Sequence, residues 1–127
     1  MKFQPDRADG VNLVSRQEPG RIWVGAAAYP HSLLVPWRGA VQPWEATGLA
    51  ELGPAHFEQV LALRPELVVF GSGRRLRFVA PALLRALIDA RVGVETMDTP
   101  AACRTFNVLA GEGRSVVAAL LVEPTDL

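Results

Sequence analysis

Leu67-Val68-Val69-Phe70-Gly71-Ser72-Gly73 decides the fold. Four apolar residues in succession, with neither face left polar, mark a strand covered on both sides. The glycines then close it with a turn. Upstream, Pro54 suits a first helical position, where its missing N–H costs nothing, and Phe57, Val60 and Leu61 follow on one face. Pro65 ends that helix by disfavouring the helical conformation at Arg64. Downstream, Pro81 opens a second helix with Leu83, Leu84, Leu87 and Ile88 as its apolar cluster. Residues 92–97 read as the next strand. Thr99 and Pro100 supply the N-cap and first-turn proline of a third helix that runs to about Ala110. Residues 114–122 are the last strand, again nearly all apolar. This alternation is βαβαβ, and helices should cover a mixed, largely buried sheet.

The first third reads differently. Val11-Asn12-Leu13-Val14, Arg21-Ile22-Trp23-Val24 and Leu33-Leu34-Val35 are short β-type runs broken by Glu18-Pro19-Gly20 and Tyr29-Pro30-His31-Ser32. They are expected to form a small N-terminal antiparallel layer. Residues 38–53 should be irregular, tethered by Trp44 and Leu49.

Composition sets the bounds. Of 127 residues, half are apolar and a fifth charged, so the chain can build a core and is not disordered. The length suits one globular domain spanning residues 1–127. Thirteen basic residues balance thirteen acidic ones, which removes long-range attraction to nucleic acid or anionic lipid. Val116 to Val122 is the longest apolar run and is far too short to span a bilayer. One cysteine excludes a disulfide framework and a cysteine-built zinc site. Met1 to Arg7 lacks the apolar core of a secretion signal, so the expected compartment is the cytoplasm.

Candidate chemistry is sparse. Gly71-Ser72-Gly73 would stand at the carboxyl end of a buried strand, where open α/β sheets bind ligands, with Arg74, Arg75 and Arg77 following to neutralise an anion. Leu76 replaces the third glycine of a dinucleotide fingerprint, and neither a phosphate loop nor a nucleophile elbow fits. A tight turn with a solvated arginine edge explains the same residues. Cys103 falls at the edge of its helix's apolar stripe with no histidine on that helix to act as base, so a small buried thiol is expected rather than a nucleophile. His31 and His56 belong to no spaced metal motif. Arg104 and Asn107 share a face of the third helix, and Glu112 and Arg114 lie just beyond its end. Either solvent or a polar cluster joining Arg104 to Glu112, with Asn107 on exposed backbone, accounts for them.

The run Met97-Asp98-Thr99-Pro100-Ala101-Ala102-Cys103-Arg104-Thr105-Phe106-Asn107-Val108-Leu109, followed by Glu112-Gly113-Arg114, resembles a small α/β family spread through archaea, bacteria and eukaryotes. That family includes a mitochondrial respiratory complex I assembly factor and an adipogenesis-associated cytosolic protein. Phe106 stands at an expected aromatic position and carries no phenol hydroxyl. The resemblance implies a three-layer fold on a mixed, largely parallel sheet of about five strands, one of them antiparallel to the rest. It also implies an assembly or regulatory partner of other proteins; no cofactor is expected from the motifs. The competing expectation is a small-molecule or anion-binding domain, or an enzyme, that uses the Gly71-Ser72-Gly73 turn with Arg104. A pocket beside Gly73 would favour it.

Overall fold

The computed structural model describes residues 10–124, so the reading of Met1 to Arg7 lies outside the described residues. Three antiparallel strands come first: β1 Val14–Glu18, β2 Arg21–Val24 and β3 Ala27–Tyr29. Pro19 and Gly20 turn β1 into β2, with Gly20 in the left-handed region at φ 81°. The second sheet is built from β4 Leu33–Pro36, β5 Gln42–Pro43, β6 Leu67–Gly71, β7 Gly93–Met97 and β8 Val116–Leu120, in the order β5-β4-β8-β6-β7. β6 runs parallel to both β7 and β8, and β4 is antiparallel to its two neighbours. This is the mixed five-stranded sheet that the resemblance implied.

Two apolar layers sandwich that sheet. Leu34, Val68, Phe70, Val117 and Ala119 face Phe57 and Val60 of helix α1 (Pro54–Leu61) and Leu87 of helix α2 (Arg85–Asp89). Leu33, Val35, Val69, Ala118 and Leu120 face Ala102, Cys103, Phe106 and Ala110 of helix α3 (Thr99–Gly111), together with Val14, Ile22 and Val24 of the small sheet. Alternate residues of each strand thus serve opposite cores, as the pleat requires.

Several local expectations are corrected. The run at Leu33 belongs to the main sheet, because Leu33, Leu34 and Val35 are all fully buried and pair with β8; β3 completes the small layer instead. Val11 makes only an isolated bridge to Arg38. The stretch 38–53 is not wholly irregular, since it holds β5 and a single 3-10 turn at Leu49–Glu51, but Trp44 is buried and Leu49 packs on the core as expected. Ile88 is 47% exposed. Its helix begins with a 3-10 turn at Pro81–Leu84, whose tighter winding shifts the α-helical periodicity and turns Ile88 to solvent. Arg64 leaves the right-handed helical region, which the following proline disfavours, and sits in the left-handed one with φ 56°. The N-cap of α3 is Asp98, not Thr99: the Asp98 carboxylate accepts from Ala101 N–H at 2.9 Å.

Candidate functional site

Because β6, β7 and β8 run parallel, with Gly71 beside both Met97 and Leu120, their carboxyl ends meet at one edge of the sheet. Thr99, freed from capping, becomes the link there. Its hydroxyl accepts from Gly73 N–H at 2.9 Å and donates to Leu121 C=O at 2.7 Å, while its own N–H donates to Gly73 C=O at 2.8 Å. Gly71 is required by this approach, since a Cβ there would lie 2.8 Å from Thr99 Oγ1 and 3.0 Å from its Cα. Ser72 is buried, and its N–H donates to Met97 C=O at 2.8 Å. Gly73 has φ 105°.

The turn meets an anion of its own. Glu123 Oε1 accepts from Arg74 N–H at 2.9 Å and lies 3.5 Å from Arg74 Nε. A Cβ on Gly73 would stand 2.7 Å from that carboxylate. Glycine therefore lets a backbone approach an anion closely here, but the anion belongs to the chain. Thr99 and Glu123 were not legible as partners of this turn, because each reaches it from a distant part of the sequence. An apolar hollow of about 100 Å³ does lie beside Gly73, with Ile22, Pro100, Leu121 and Val122 in its wall. Arg104 does not line it.

The remaining predicted residues are not brought together. Asn107 clamps α3 to β1, accepting from Val14 N–H and donating to Val14 C=O, both at 2.8 Å. Arg114 sits at the opposite, amino-terminal edge of β6 and β8, where its Nη2 and Nε reach Glu66 Oε2 at 3.1 and 3.2 Å. There Ser115 N–H and then Arg114 hold the Glu66 carboxyl below the ordinary carboxylate range. Arg104 and Glu112 are both exposed, and no ion pair joins them among the described residues. Eight helical positions separate them by about 12 Å along the axis, too far for the proposed pair. Arg104→Ala and Glu112→Ala are therefore expected to combine additively, within about 0.5 kcal/mol, in a double-mutant cycle on unfolding free energy. A larger coupling would restore the pair.

Cys103 is buried in the core under α3, and desolvation pushes its thiol up to about 12 against the opposing charge of Arg104. It stays protonated near neutrality and cannot serve as a thiolate nucleophile. His56 accepts from Gly53 N–H at 3.0 Å through Nδ1, which leaves Nε2 to donate to Glu45 C=O at 2.9 Å. Among the described residues, no three or more His, Cys, Asp or Glu side chains gather as a metal site would require. No described helix is long and apolar enough to cross a membrane.

Residues 14–121 match a family described as "Protein of unknown function (DUF498/DUF598)". The bovine protein named NADH dehydrogenase (ubiquinone) 1 alpha subcomplex assembly factor 3 is 38% identical over 127 residues, covering 90% of this chain and 68% of that protein. The chain thus spans about two thirds of that relative's length. A crystal structure from Bordetella parapertussis superposes with a TM-score of 0.86 at 36% identity, covering 92% of this chain and all of the other. A solution structure of a Mth938-like domain from Bordetella pertussis gives 0.85 at 31% identity, covering 100% of this chain and 96% of that one.

Proposed function

The chain belongs to the DUF498/DUF598 family, and from that membership we propose that it is an interaction protein, an assembly or regulatory factor for a respiratory or membrane complex that works from the cytoplasm through protein partners. The observation that carries this reading is the similarity to the bovine assembly factor across 90% of the chain. The dispersal of Arg104, Asn107, Glu112 and Arg114 supports it, because no reacting centre is assembled from them. Deletion of the gene in its native host should leave partial membrane complexes on native gels, and the tagged chain should co-purify with subunits of the stalled complex. Intact complexes in the deletion strain would end this proposal. The hollow beside Gly73 favours a second, narrower reading: a small apolar ligand rather than an anion, since Glu123 already fills the anion's place. Calorimetric titration with short aliphatic ligands separates the two.

A further inference from the structure

Arg74, Arg75, Leu76, Arg77 and Phe78 are exposed in succession immediately after the buried turn. Leu76 is 54% and Phe78 69% exposed, although a small soluble surface normally keeps such side chains singly scattered. The fold holds them out. The buried Ser72 hydroxyl donates to Arg75 C=O at 2.6 Å and accepts from Arg77 N–H at 3.0 Å, which closes the backbone around Leu76 and sets it at the tip. Val79 then returns the chain to the core. Glu123 is the one carboxylate lining the arginine hollow, and Arg74 engages it; Arg75 and Arg77 make no ion pair among the described residues.

We propose that this loop docks the protein on an anionic lipid surface, with the arginines at the phosphates and Leu76 and Phe78 in the outer hydrocarbon. The hollow among Arg74, Arg75, Arg77 and Glu123 is lined by no apolar side chain, and Leu76 and Phe78 stand outside it. Three arginines against one carboxylate leave the loop net positive, complementary to anionic headgroups, and Leu76 and Phe78 add exposed apolar side chains beside them. Zero net charge does not oppose this, because within a Debye length of about 10 Å the local charge of the loop governs.

Flotation of the purified chain with vesicles tests the docking, and its failure would leave the assembly proposal standing. Binding is expected to phosphatidylcholine vesicles containing phosphatidylglycerol and not to pure phosphatidylcholine. The pair Arg75→Gln and Arg77→Gln should weaken it about 25-fold, roughly fivefold for each charge. The pair Leu76→Ser and Phe78→Ser should abolish it with the thermal melt unchanged. Should that pair misfold, Leu76→Cys carrying an environment-sensitive dye gives a second readout, since Cys103 is buried and escapes labelling. Its emission should shift to the blue on phosphatidylglycerol vesicles. Absent binding, or binding indifferent to both pairs, overturns the proposal. So does release by inorganic phosphate at constant ionic strength, which would make the hollow a free-phosphate site. A blue shift with polyglutamate but not with vesicles would assign the loop to an acidic protein segment instead.

Discussion

Trp44→Ala is expected to cost about 4 kcal/mol of folding free energy, near the middle of the range for removing a buried indole. Trp44 is 2% exposed and meets Phe57, Phe70 and His56 edge to face, with ring centroids 5.7, 6.1 and 5.9 Å away. Its Nε1–H donates to His56 C=O at 3.2 Å. The two phenylalanines belong to α1 and β6, so the indole fills the angle between helix and sheet, and its removal leaves a cavity between them. A stability of roughly 5–15 kcal/mol would lose a large fraction of its value. Urea denaturation measures this directly, and a loss below about 1.5 kcal/mol would mean that the neighbouring loop collapses into the cavity.

Asn107→Ala should cost about 3 kcal/mol, by a different route. The side chain is small and only half-buried, so lost packing contributes little. What disappears is the pair of hydrogen bonds to the Val14 main chain, leaving a donor and an acceptor stranded between α3 and β1. Amide hydrogen exchange is the sharper measurement: β1 and β2 should lose protection before β6 and β8 do. Equal loss across all four strands would show that the two sheets open together.

The sequence was readable wherever an element declares itself locally. Leu67 to Phe70 are apolar at every position and lie in the sheet interior; Pro54 and Pro65 bracket α1 as read. Leu33-Leu34-Val35 reads with the N-terminal layer because turn residues precede it, whereas Ser32 is itself buried, donating to Ala46 C=O and accepting from Val122 N–H. A polar residue satisfied by distant backbone looks the same in sequence as one facing water. Asp98 and Thr99 are both good capping residues; the choice between them was made by Gly73 and Leu121, which only the folded chain brings to Thr99. For the same reason the sequence points Asn107 to backbone, as found, without saying that the backbone is that of Val14. Periodicity places a residue on a face and says nothing about which strand will cross it.

The position of β8 bears on synthesis. It lies between β4 and β6, and Leu33 pairs with Leu120 and Leu67 with Val116, so it is the strand that joins the earlier part of the sheet to the parallel part. Until Val116–Leu120 has left the ribosome, Leu33, Leu34 and Val35 have no neighbour on that side, and neither apolar layer is complete. Pairing so distant in sequence is slow to form and leaves strand edges open to other chains meanwhile. A nascent chain stalled at Gly113 would therefore be a client for chaperones, with its main sheet still in two pieces.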